Sequence, residues 1–175
     1  MKNKSALALK IIIGLMLLFL VLFISSSLFA SQASYSNEIT VNKPITVVFD
    51  KLSDSNFLKE WNPVAQTVTV EKTTANKVGS IYLIKANQKG KEFQVKQTIT
   101  KYEPSSHFVD ELDVENMMVY NDYLLESNGN STKITKNTVT KGKSHFIRWI
   151  SKIYKARFQA AEQQSLALFK KAVEQ

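Results

Sequence analysis

The stretch Ser144–Val173 constrains the fold most. Phe146, Ile150, Ile153, Tyr154, Ala161, Leu168 and Phe169 recur at helical spacing, with Trp149 and Phe158 on the flanks. That spacing gathers them into one broad stripe of an α-helix. Neither Pro nor Gly interrupts it, Gly142 precedes it, and Ser144 suits the N-cap. A helix of that length runs roughly 45 Å. A small domain accommodates it only if something wraps around it.

The preceding residues supply the wrapping. Glu38–Asn42 reads as a first strand, and Lys43-Pro44 breaks it. Pro44 fits the first turn of a helix through Thr46–Leu52. Ser53 or Asp54 caps a second short helix, which Asn62-Pro63 ends. Six alternating segments follow, bounded by turn residues: 64–72, 80–86, 91–102, 107–114, 117–126 and 131–140. The order predicts an α+β domain. In it, a curved antiparallel sheet of about seven strands wraps on the long C-terminal helix, with two short helices after strand one.

The N-terminus is a different material. A short basic tip, Met1–Lys10, leads into an apolar run from Ile11 that resumes after three serines and closes at Ala30. About twenty such residues form a helix of roughly 30 Å, the thickness of a bilayer's hydrocarbon core. Two readings stand: an uncleaved transmembrane anchor, or a signal segment with small residues at Ser31 and Ala33 near a cleavage point. Either way the lysines predict the N-terminus inside and the domain outside the cytoplasm: single-pass if anchored, secreted if cleaved. The expected division is a membrane segment at 1–30, a linker at 31–37 and a domain at 38–175.

The domain's elements resemble the START-like helix-grip superfamily, also called SRPBCC and often described as polyketide cyclase/dehydrase. Ile39-Thr40-Val41-Asn42-Lys43-Pro44 before Val47-Val48-Phe49 is similar to the family's first strand and proline-started helix. Trp61-Asn62-Pro63 resembles its Trp-x-Pro turn, and Tyr102-Glu103-Pro104 its strand-ending proline. The hairpin Asn128-Gly129-Asn130-Ser131-Thr132 resembles its Gly-x-x-Thr turn. The resemblance implies an apolar cavity between sheet and helix that binds lipids, hormones, polyketides or other hydrophobic molecules. It does not specify a reaction, since some members are enzymes and many are not.

The residues add little chemistry. The chain has no cysteine, which excludes disulfides, thiolate nucleophiles, cysteine–zinc sites and a lipid-modified N-terminal cysteine. There is no Gly-rich phosphate loop and no nucleophile elbow. No cofactor and no metal are expected, and no catalytic residue is assigned. His107 and His145 read as surface residues. Glu111, Asp113 and Glu115 share a strand face opposite Phe108 and Leu112, whereas Asp110 falls on the apolar side. Asp110 is therefore the acid to watch, with Asp122 second. The cavity candidates are Trp61, Phe93, Asp110, Tyr120, Trp149, Tyr154 and Phe158.

Three of the +8 formal charges (Lys2, Lys4, Lys10) precede the apolar run, leaving +5 on the rest. Lys141, Lys143, Arg148, Lys152, Lys155 and Arg157 cluster at the start of the long helix. They read as a solvated face or as a contact for anionic lipid; nucleic acid is not an expected partner. The expected function is a membrane-tethered domain that binds a hydrophobic small molecule or lipid. The alternatives are a polyketide cyclase/dehydratase-like enzyme and a filled-core interaction domain of the cell envelope.

Overall fold

The computed structural model describes residues 2–29 and 32–175, with 2–5 and 26–29 as backbone alone. An N-terminal helix α1 (Lys2–Phe29) precedes strand β1 (Ala33–Val41) and helix α2 (Ile45–Ser53). A 3₁₀ turn (Ser55–Phe57) leads into the short α3 (Leu58–Trp61). Six strands follow: β2 (Ala65–Lys72), β3 (Ile81–Gln88), β4 (Lys91–Glu103), β5 (His107–Val114), β6 (Met117–Asn128) and β7 (Ser131–Gly142). Helices α4 (His145–Ile153) and α5 (Lys155–Glu174) complete the chain. All seven strands form one antiparallel sheet in the order β1-β7-β6-β5-β4-β3-β2. Bulges in β2 and at Thr100 of β4 bend it.

The expected architecture is present, with two differences. The first strand starts at Ala33 and takes in most of the segment 31–37 that the sequence suggests as a linker. Its early residues are Ser- and Asn-rich, so hydropathy does not mark them. They alternate nonetheless, turning Ala33, Tyr35 and Asn37 inward.

The second difference is a bend in the long helix at Tyr154. The hydrogen-bond ladder continues through it: Tyr154 N–H donates to Ile150 O and Phe158 N–H to Tyr154 O. The bend falls within an exposed stretch, 152–157, with Tyr154 at φ -89° and ψ 8°. Ser144 is the N-cap as expected, its hydroxyl accepting from Ile147 N–H at 3.3 Å.

Helix α5 lies along β1 and is tied to its backbone. Gln159, Gln163 and Lys170 donate to the carbonyls of Ser36, Glu38 and Thr40 in turn. Large apolar side chains fill one end of the space between sheet and helix: Val41, Val48, Phe49, Ile134, Phe169 and Val173, all buried. Phe169 meets Phe57 and Trp61 edge to face at 6.4 and 5.4 Å.

Candidate functional site

Beyond this packed end the strand register stacks polar residues in a row. Asp110 pairs with Asn121, Asn121 with Thr138, and Thr138 with Tyr35, so β5, β6, β7 and β1 present these side chains side by side. Period-two alternation turns all four inward. Gln97 of β4 joins them diagonally.

The result is a hydrogen-bonded network across the sheet. Ser55 donates to Gln97 Oε1 at 2.8 Å, and Gln97 Nε2 donates to Asp110 Oδ2 at 2.6 Å. Asn121 Nδ2 donates to Asp110 Oδ1 at 2.8 Å. The Thr138 hydroxyl stands between two acceptors, Glu162 Oε2 of α5 at 2.8 Å and Asn121 Oδ1 at 3.3 Å, and donates its one proton to the nearer glutamate. Glu162 also accepts from Tyr35 Oη at 3.1 Å and pairs with Lys136 Nζ at 3.0 Å. Lys136 in turn stands 5.2 Å from the centre of the Tyr123 ring. Such a network suits buried polar groups, because each unpaired one would carry its full desolvation cost.

Asp110 is 4% exposed. Burial pushes its carboxyl above the ordinary carboxylate range, against the downward pull of the Gln97 and Asn121 hydrogen bonds and the Lys136 charge. Burial likewise raises the Tyr123 hydroxyl, and burial plus the neighbouring Glu162 charge raises Tyr35. The row thus combines an acid whose pKa burial raises, hydroxyls and amides, and one lysine–glutamate pair.

Gln97, Asp110, Asn121, Tyr123, Lys136 and Glu162 face a cavity of about 310 Å³, and Tyr35 faces the space beside it. The cavity walls are apolar: Leu58 and Trp61 of α3, Ile84 and Ala86 of β3, Phe93 and Val95 of β4, Leu112 of β5 and Val119 of β6. A second, more open space of about 400 Å³ adjoins it. The two share Asn62, Val64, Val119, Glu162 and Ser165. Met117, Thr140 and Phe158 line the outer part. An apolar chamber with a few convergent polar groups is the usual form of a small-molecule site.

Of the sequence candidates, Trp61, Phe93 and Asp110 line the inner cavity and Phe158 the outer one. Tyr120, Trp149 and Tyr154 line neither. Tyr120 is one residue out of phase with Asn121 and Tyr123 and is 36% exposed on the other face of the sheet. Trp149 packs against Phe23 of α1, and Tyr154 stands at the helix bend beneath Arg157. Asp122 is on the outer face, bonded to His107 Nε2 at 2.8 Å. His107 is partly buried there, with Lys101 on its other ring nitrogen.

The sequence reading misses Gln97, Asn121, Lys136 and Glu162. One signal for them exists: Lys136 is in phase with Ile134 and Thr132, so strand parity turns it inward, and a buried lysine requires an acid.

A curved seven-stranded sheet holding a C-terminal helix over an apolar cavity defines the helix-grip class of ligand-binding fold. Residues 32–174 match the model of the polyketide cyclase/dehydrase and lipid transport family, and the chain belongs to it. The fold is similar to the Zhui aromatase/cyclase of Streptomyces sp. R1128, with a TM-score of 0.63 and 9% identity over 81% of this chain and 93% of that one. It is similar to a START superfamily protein of Mycobacterium smegmatis, at 0.62 and 13% over 81% and 94%. A Chromobacterium violaceum protein gives 0.65 and 15% over 82% and 98%. At these identities the likeness shows the fold alone. No curated protein matches the sequence.

Proposed function

We propose that this chain is a membrane-tethered helix-grip protein that binds a hydrophobic small molecule or lipid between the sheet and α5. The observation that carries the reading is the satisfied polar row flooring an apolar cavity. The walls favour a hydrocarbon or ring system. The floor offers donors and acceptors to a polar group at its inner end. Within α1, Ala6–Ser25 is long and apolar enough to cross a membrane, which supports an anchor; the lysines that precede it favour a domain outside the cytoplasm. Native mass spectrometry of the full chain in detergent tests the binding. A reproducible extra mass is expected, and it disappears when Val119→Trp fills the shared wall. A clean apoprotein mass, with no uptake of an apolar fluorescent probe, overturns the reading.

The second reading is an enzyme of the cyclase or dehydratase kind, which Asp110 favours. Each of its oxygens accepts one amide hydrogen bond and keeps further lone-pair capacity. A buried carboxyl on the cavity floor, its pKa raised by desolvation, is placed to exchange a proton with a bound substrate. Asp110→Asn then abolishes turnover of a bound substrate and preserves the fold; unchanged turnover removes the assignment. A filled-core interaction domain fits less well with a cavity of this size.

A further inference from the structure

We propose that α4 lies in the lipid–water interface of the membrane that holds α1, and that it sets the mouth of the ligand cavity against that surface. The inference rests on the tethered reading above and adds the orientation of the domain.

Helix α4 has two dissimilar sides. Ile147 and Ser151 face the sheet: Ser151 is buried, and a side chain at Gly142 would strike Ile147. Phe146, Trp149, Ile150 and Ile153 recur at three- and four-residue steps on another side, away from the core. Phe146 is 54% and Ile153 56% exposed. Exposed apolar clusters of this kind mark interaction surfaces.

Charge and position select lipid as the occupant. Between Lys141 and Arg157 the chain carries six basic residues and no acidic one. An apolar face edged by lysine and arginine is the pattern of helices that lie in an anionic interface. The Trp149 ring meets Phe23 at 5.4 Å. Phe23 is near the end of the stretch Ala6–Ser25, so Trp149 stands at the outer boundary of the span, the level where tryptophan concentrates in membrane proteins.

Topology supports the same orientation independently of that ring contact. The domain begins at Ala33, which pairs with Thr140, a residue lining the outer cavity. Strand β7 ends two residues later at Gly142, opposite Met117, which also lines that cavity. The point where the chain enters the domain, the start of α4 and the open end of the cavity therefore share one end of the sheet. With α4 in the interface, an apolar ligand passes between bilayer and cavity without crossing bulk water.

The cysteine-free chain permits one introduced cysteine at a time. We would label Ile153→Cys, Met16→Cys in α1 and Ser131→Cys at the far hairpin with an environment-sensitive fluorophore. The full chain is then reconstituted in phosphatidylcholine vesicles with and without phosphatidylglycerol. The Ile153 label should shift to the blue and be quenched by a nitroxide placed shallowly in the acyl chains, while the Ser131 label stays in water. Phosphatidylglycerol should increase immersion, and Lys152→Gln or Lys155→Gln should each cut its ratio of immersed to free label about five-fold.

An immersed Met16 label with a water-exposed Ile153 label overturns the inference and leaves the tether intact. An Ile153 label shielded from both aqueous and lipid quenchers overturns it in favour of a protein partner or a second copy. A water-exposed Met16 label removes the tether and the inference with it. None of these readouts involves the cavity ligand, so an empty cavity leaves the result standing.

Discussion

The two ends of the space between sheet and α5 are built from the same alternating strands, yet one is solid and the other hollow. At the solid end α5 contributes Phe169 and Val173, which close against Phe49, Val41 and Ile134. At the hollow end it gives the inner cavity Glu162 and Ser165, while Phe158, Ala161 and Leu168 line the outer space, and the gap under the bent sheet stays open. Part of the difference lies in the helices: at the solid end α2 adds Val48 and Phe49 to the Phe169 and Val173 of α5, whereas α5 meets the inner cavity with Glu162 and Ser165. A curved sheet leaves a space of similar kind along its length, and side-chain volume on the helices helps decide where that space becomes core and where it becomes a site.

Substitutions on α5 test this directly. Phe169→Ala should cost about 3–5 kcal/mol in chemical denaturation, because it removes a fully buried ring and leaves a cavity. Ser165→Leu, one helical turn away, should change stability little and exclude an apolar probe from the inner cavity. A large loss of stability there would show that the hollow end is packed after all.

The polar row separating the two ends comes next in size. Glu162→Gln leaves Lys136 without its countercharge and should cost about 3 kcal/mol. Adding Lys136→Met should recover part of that, in urea titrations of the single and double variants. Gly142→Ala sharpens the comparison at the cavity mouth. A Cβ there would be 2.5 Å from Arg148 N and 2.7 Å from Ile147 C, so α4 must move off the sheet. The expected cost is about 1–3 kcal/mol, with the packed end undisturbed in hydrogen exchange.

The smallest effect is a pH slope. The raised Asp110 carboxyl keeps its proton to higher pH when folded than when unfolded. Its contribution to stability is therefore full below the ordinary aspartate value of about 4 and is lost as pH rises through the folded value. Thermal melts across that window should show the decline in the wild type and its absence in Asp110→Asn.

Much of this was legible in the chain and some was not, for definite reasons. Strand parity alone places Asp110 on the apolar side and Glu111, Asp113 and Glu115 on the other. The hairpin at Asn128-Gly129-Asn130 and the breaks at Pro63 and Pro104 delimit the strands through local chemistry. The polar row is a property of register. Asp110, Asn121, Thr138 and Tyr35 become neighbours only once four strands align, and nothing local to any one of them announces the others. Tyr120 shows the cost of judging by residue type: an aromatic on a strand suggests a cavity wall, yet one step of phase puts it outside. The bend at Tyr154 lacks the usual Pro or Gly marker and falls within the exposed stretch 152–157.

The three bonds from α5 to β1 bear on how copies of the protein meet. Strand β1 is at the border of the sheet, where free carbonyls invite another strand to dock. The carbonyls of Ser36, Glu38 and Thr40 are already occupied by Gln159, Gln163 and Lys170. The helix that shapes the interior thereby also acts as a sheath over this margin, and a crowded neighbour finds three of its carbonyls already taken.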